Sequence, residues 1–168
     1  MLTLAGRGTL PPGPKPLSRT TERRSRWGPL INALFYGLHA SCLLIFFTGV
    51  SPTALAVCLA LYWTRMFAIT GGYHRLFSHA TFKTGRVFQF LLAFAGASSG
   101  QKGPLWWAAH HRNHHRYSDT ERDIHSPRHG GLWWSHAGWV LSAHFSKTDL
   151  AAVPDLAAFP ELRWLDRN

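Results

Sequence analysis

The sequence predicts an all-α, integral membrane protein: a transmembrane helical hairpin followed by histidine-bearing helices on the cytoplasmic side. Three observations predict it. No charged residue lies between Gly28 and Thr64, although the 168-residue chain holds 18 Lys and Arg and 8 Asp and Glu. Two long apolar runs fill that stretch and continue just past it. Histidines then crowd the following part, eight of the eleven falling between His74 and His129. A mean hydropathy of −0.09 conceals this segregation, because apolar and Arg/His-rich runs cancel in the average.

Residues 1–27 carry Arg7, Lys15, Arg19, Arg23, Arg24 and Arg26 against a single acid, Glu22. They are rich in Pro and Gly and lack the continuous apolar stretch of a secretory signal. They read as a basic, disordered tail. Residues 28–168 read as one domain.

Residues 30–50 (LINALFYGLHASCLLIFFTGV) and 53–70 (TALAVCLALYWTRMFAIT) each approach the roughly 20 apolar residues that a bilayer span requires. Ser51-Pro52 is too short to be anything but a turn, so the two form a hairpin. A buried hairpin of a soluble protein is the competing reading, and the length of the runs favours the membrane. Both outer flanks are basic, which places both ends in the cytoplasm. Arg65 sits near the cytoplasmic end of its span and can snorkel; His39 is assigned no role. Cys42 and Cys58 lie within the apolar runs and read as small buried hydrophobes. They offer neither a disulfide scaffold nor a Cys-based zinc site. A net charge of +10 raises nucleic acid, anionic lipid or an acidic partner as options. A nucleic-acid stripe would not skip the middle of the chain, so no nucleic-acid partner is expected.

Residues 87–100 (VFQFLLAFAGASSG) are apolar but short for a span, and read as a re-entrant or interfacial helix. Residues 104–118 read as a histidine-bearing helix. From His125 onward, Gly, Pro and Trp predict an irregular, polar end.

The histidines form two clusters, His74-Arg-Leu-Phe-Ser-His79 and His110-His111-Arg-Asn-His114-His115. Imidazole suits first-row transition metals. Residues three and four apart share a helix face, so His111, His114 and His115 are expected on one side, able to approach one metal or bridge two. His110 points about a quarter-turn away. The spacing of five in the first cluster would swing His79 off the His74 face of an ideal helix. Gly71-Gly72 upstream reads as a helix end where the backbone can adapt. Ionisable groups at a membrane edge are functional by default. No HExxH helix, phosphate-binding loop, nucleophile elbow or Glu-x-x-His pattern competes, which leaves an all-imidazole metal site. Asp119, Glu121 and Asp123 read as either a solvated turn or outer partners of the ligands.

These residues resemble the membrane fatty acid desaturases, and among them the stearoyl-type (delta-9) acyl-CoA desaturases of bacterial kind. The resemblance rests on GYHRLFSHATFKT (72–84), HRNHHRYSDTERDIHSP (111–127) and the Ser135-His136-Ala137-Gly138-Trp139 end of 131–139, and covers roughly residues 30–165. It implies an iron pair that uses O2 to take two hydrogens from a saturated acyl chain, leaving a cis double bond. His74, His79, His111, His114 and His115 would be the iron ligands and Trp107 a wall of the acyl tunnel. His110, Asp119, His125 and His136 would support the metal site from outside. The substrate would be a fatty acyl-CoA or another acyl thioester or lipid. Electrons would come from cytochrome b5, a ferredoxin or a rubredoxin-type carrier, and the enzyme would be a multi-pass protein of a bacterial inner membrane. Ala109-His110 stands where animal relatives carry Arg-Asp before the second histidine box, and Ile124 replaces the Pro of Asp-Pro-His. The family's third box, His-x-x-His-His, does not occur. The chain is therefore expected to be an N-terminal fragment, inactive alone. Related membrane lipid or alkane hydroxylases, which insert oxygen, and a non-catalytic metal-binding remnant are the alternatives.

Reporter fusions after residues 27 and 85 are both expected to read cytoplasmic. A periplasmic or lumenal signal at either position overturns this orientation.

Overall fold

The computed structural model describes residues 28–167. The tail expected over 1–27 lies outside the described residues. Every regular element among them is helical.

The first apolar run is α1 (Gly28–Ser41), continued by a 3-10 turn (Cys42–Leu44) and α2 (Ile45–Thr48). Together Pro29–Thr48 is 20 residues long, enough to cross a bilayer. Gly49, with φ of 70°, breaks the helix by a conformation that side chains disfavour. The next helix restarts at once: the Ser51 hydroxyl accepts from the Ala54 N–H at 3.1 Å, and Pro52 occupies the first helical position. α3 (Pro52–Phe67) then runs without a break into a π-helix, Ala68–Ser78. The continuous helix of 27 residues carries the first histidine cluster at its end. The expected helix end at Gly71-Gly72 is therefore corrected. Gly72 instead sits where the helix Arg86–Ala97 crosses closely, since a Cβ there would meet Leu92 Cβ at 3.2 Å.

Among the described residues none from 29 to 67 is buried, and Leu38, Phe46, Phe47 and Trp63 all face outward. A contiguous apolar surface of that kind is unusual for a soluble chain and matches hydrocarbon as the solvent. Cys42 and Cys58 are exposed on this surface rather than buried within the chain, which corrects the expectation drawn from their apolar neighbours.

The core lies at the other end. α4 (Arg86–Ala97) and α5 (Pro104–Tyr117) pack on the π-helix, and the last helix, α9 (Pro160–Arg167), packs across both. Tyr73, Phe77, Leu92, Leu105, Val153 and Leu162 fill the space between them. Each such aliphatic or aromatic side chain contributes about 1.5–3 kcal/mol on burial. The stretch from His125 onward is not irregular. It folds as α6 (Pro127–Trp133), a second π-turn (Trp134–Gly138), α7 (Trp139–Leu141), short 3-10 turns, α8 (Pro154–Ala157) and α9. Composition concealed this because Gly and Pro here mark helix starts and kinks between many short segments.

α9 also completes α5. Gly103, the residue before α5, has no side chain to cap the helix, and a Cβ there would overlap Asp166. Asp166 fills the gap from across the core: its carboxylate accepts from the Trp106 N–H at 2.8 Å and from the Thr148 hydroxyl at 2.6 Å. An anion at a helix N-terminus is favoured by the exposed N–H groups and the macrodipole. Asp166→Ala is expected to lower stability by about 1–2 kcal/mol, read as a lower denaturation midpoint in detergent against a control change at exposed Glu121. Equal midpoints would show that α5 needs no such cap.

Candidate metal site

The π-helix accounts for the spacing of five. A backbone bond runs from the His79 N–H to the His74 carbonyl, 3.1 Å and five residues back. In that register His74 and His79 lie on one face, with ring centroids 4.6 Å apart. The Ser78 hydroxyl, on the Tyr73 carbonyl at 2.8 Å, and the Thr81 N–H, on the Arg75 carbonyl at 3.0 Å, secure the widened turn.

α5 brings His111 and His115 to the same place. His111 Nε2 lies 3.2 Å from His79 Nε2 and 3.0 Å from His115 Nε2. One nitrogen from each of His74, His79, His111 and His115 falls within 4.8 Å of the others. Four donors bound tetrahedrally at about 2.0–2.1 Å would stand roughly 3.4 Å apart, so the cluster fits one transition-metal ion with small adjustments. Desolvation, and then the neighbouring His115, His74, His79 and His114, push the His111 imidazole down to about 3. His79 is lowered by desolvation and by His74, His115 and Arg112. Both shifts favour the neutral ring, the form that binds metal.

Arg112, within the second box, ties the two halves together. Its guanidinium donates to the Phe77 and Ser78 carbonyls at 2.7 and 3.1 Å, at the end of the π-helix. It also makes a two-pronged pair with Asp155, 2.8 Å on each side. That pair holds the Asp155 carboxyl below its ordinary range, the bond from Arg112 outweighing desolvation. The polar segment after the second box thereby holds the first box against α5.

His114 departs from the expected common face. It turns away from the four-ring cluster and joins Asp123 and His125 in a second group. His114 Nδ1 is 3.0 Å from both Asp123 oxygens, and the His125 ring stacks on it at 4.2 Å. Burial works to raise the Asp123 carboxyl. The bond from His114 and the N–H groups of Asp119 and His125 outweigh burial and hold it below its ordinary value. His125 stacks in turn on Trp139 at 5.2 Å, and burial lowers its imidazole.

A cavity of about 610 Å³ reaches this assembly, walled by Ile31, Phe35, Trp107, His110, His111 and Trp139 among others. Trp107 stacks on His111 with centroids 4.6 Å apart, so one wall of the cavity is also a support of the cluster. His110 packs on Trp106 at 4.4 Å and presents a buried Nε2 with no hydrogen-bond partner. Burial and nearby Lys102 push its imidazole down to about 4. His136 lines the cavity but belongs to neither histidine group. Asp119 braces the turn with backbone and side chain: its N–H donates to Asp123, its carbonyl lies 3.1 Å from a His129 ring nitrogen, and its carboxylate accepts from the Ser126 hydroxyl at 3.2 Å. Sequence reasoning missed Arg112 and Asp155 and left Asp123 undistinguished from its acidic neighbours. The alternation Asp123-Ile124-His125 was the available signal for Asp123; for Asp155 there was none.

A long apolar helix that ends in a π-turn of histidines, packed on a second histidine helix over an apolar cavity, outlines a helical membrane protein with histidine groups spaced to hold a metal ion. The chain belongs to the fatty acid desaturase family, whose profile matches residues 50–167. It is 36% identical to the sn-1 stearoyl-lipid 9-desaturase of Anabaena variabilis over 90% of its length, covering 56% of that protein. It is 35% identical to the sn-2 palmitoyl-lipid 9-desaturase of Nostoc sp. (strain 36) over 89% of its length, covering 53% of that relative. Identity to a probable acyl-CoA desaturase of Schizosaccharomyces pombe is 31% over 78% of the chain and 28% of the relative. The chain spans about half the length of the first two relatives.

The His111 shift sets a pH dependence. An unfolded histidine titrates near 6.5 and the folded His111 near 3, so between these values the unfolded chain binds more protons. Stability of the metal-free protein is expected to be complete above pH 6.5 and to decline as pH falls toward 3. His111→Gln should flatten that decline in denaturation midpoints measured across the window; an unchanged slope would remove His111 as its source.

Proposed function

We propose that the protein is an O2-dependent fatty acyl desaturase that introduces a cis double bond into a saturated acyl chain, with iron at the histidine site. The observation that carries this reading is the apolar cavity that ends on His111, within the four-imidazole cluster. Residues 28–168 form part of a desaturase domain, with His74, His79, His111, His114 and His115 as the iron ligands. The hairpin spans a bacterial inner membrane and leaves both histidine clusters on the cytoplasmic side.

Bound iron supplies O2 activation, the chemistry needed to break an unactivated methylene C–H bond. The chain's own residues supply position and dryness. Ile31, Phe35, Trp107 and Trp139 grip an acyl chain by apolar contact and aim one carbon at the cluster. His79 and His111, held neutral, present bare nitrogens to the metal. Arg112 and the π-turn bonds fix the distance between the two boxes, so little rearrangement is needed when metal binds. The acyl carrier is a lipid or a thioester such as CoA, both kinds being named among the relatives. A small carrier, cytochrome b5, ferredoxin or rubredoxin-type, delivers the electrons.

Membranes carrying the full-length protein, with saturated acyl substrate, O2 and an electron carrier, should yield a product two hydrogens lighter than the substrate by mass spectrometry. Single changes of the five histidines to Ala should abolish that product while the protein still accumulates, and exposed His144 should tolerate the same change. A product one oxygen heavier would assign the site to a hydroxylase instead.

A further inference from the structure

We infer that Asp123 is a positioning residue that selects the tautomer and ring plane of His114, and so builds a metal-binding nitrogen separate from the four-ring cluster. This rests on the reading of the histidine clusters as a metal site, and goes beyond it by assigning a role to a carboxylate outside both boxes.

The Asp123 side chain is fully buried, at 0% exposure. Its Oδ1 lies 3.0 Å from His114 Nδ1 and accepts from the His125 N–H at 3.3 Å. Its Oδ2 lies 3.0 Å from the same ring nitrogen and accepts from the Asp119 N–H at 3.0 Å. Both oxygens are therefore engaged from within the chain. A carboxylate so enclosed is a poor metal ligand and a good acceptor. It can only accept from His114, so Nδ1 carries a proton, and in the neutral ring that leaves Nε2 bare. A metal-binding histidine is commonly arranged in this way, its other N–H given to a carboxylate that fixes tautomer and orientation and raises ligand basicity.

The ring plane is fixed by separate contacts. His125 stacks on His114 at 4.2 Å with an interplanar angle of 27°, and Trp139 stacks on His125 at 5.2 Å. The backbone N–H of His125 and its ring thus act on Asp123 and on His114 respectively, so the Asp-x-His spacing performs both tasks at once. His114 lies next to the four-ring cluster, its centroid 5.6 Å from that of His115, yet supplies no atom to that group. Its Nε2 is therefore available to a neighbouring metal position rather than the one the four rings surround.

The test uses Co2+ as the probe on the full-length protein in detergent, with bound metal measured by equilibrium dialysis and by the visible absorption of the bound ion. Asp123→Asn keeps the shape but removes the charge that demands an Nδ1 proton. It should weaken one class of bound Co2+ by about 10–100-fold while the other class is unchanged. Combined with His114→Ala it should cause no further loss, because both changes act on the same nitrogen. Unchanged Co2+ binding by Asp123→Asn would overturn the inference, and so would additive losses in the double variant, which would mean that Asp123 acts only through the loop. Failure of the unaltered protein to bind Co2+ at all would instead overturn the metal reading on which the inference stands. Nitrogen NMR of 15N-histidine-labelled, unaltered protein gives a readout independent of variant folding. His114 protonated at Nδ1 supports the inference, and His114 protonated at Nε2 sinks it.

Discussion

One backbone register governs the site: the His79 N–H bonds to a carbonyl five residues back rather than four. An α-turn would leave the rings of a five-residue spacing on different faces. The wider π-turn superposes them and does so within the helix that emerges from the apolar span. The histidine pair is thereby set at a fixed height above the end of the long apolar helix, and everything else in the fold is arranged to meet it.

Meeting it requires that α5 be held in both rotation and translation. Asp166 pins the start of α5 through the Trp106 N–H, and Arg112 pins its middle to the last carbonyls of the π-helix. Both anchors depend on late segments of the chain: α9 supplies Asp166, and α8 brings Asp155 to Arg112. Four imidazoles with nitrogens within 4.8 Å of one another, two of the pairs at 3.0 and 3.2 Å, gain little in the absence of an ion. Their mutual repulsion on protonation and their desolvation are part of the cost of preorganisation. That cost is met by the apolar core beneath them, where Tyr73, Phe77, Leu105 and Leu162 are almost fully buried.

Much of this was legible in the sequence. The uncharged stretch between Gly28 and Thr64 gave the apolar helices, and the i, i+4 relation of His111 and His115 gave half of the cluster. What was not legible has physical causes. The π-turn is not legible because a spacing of five fits no α-helical period and only a wider turn, visible in the backbone, satisfies it. His114, three residues from His111, was expected on the same face, but three steps of 100° leave it 60° short of a full turn, and Asp123 takes up the difference. The late helices were hidden because each is short, and three of the four, α6, α8 and α9, start with Pro. Asp155 and Asp166 were invisible because their roles exist only through partners 43 and 60 residues away.

The central claim is that the π-turn and α5 together present four imidazole nitrogens to one ion. X-ray absorption at the zinc edge, on protein carrying one equivalent of Zn2+, tests it most directly. The account predicts a shell of four imidazole nitrogens at about 2.0–2.1 Å. A shell made mostly of oxygen or sulfur, or one with fewer than three imidazoles, would contradict it.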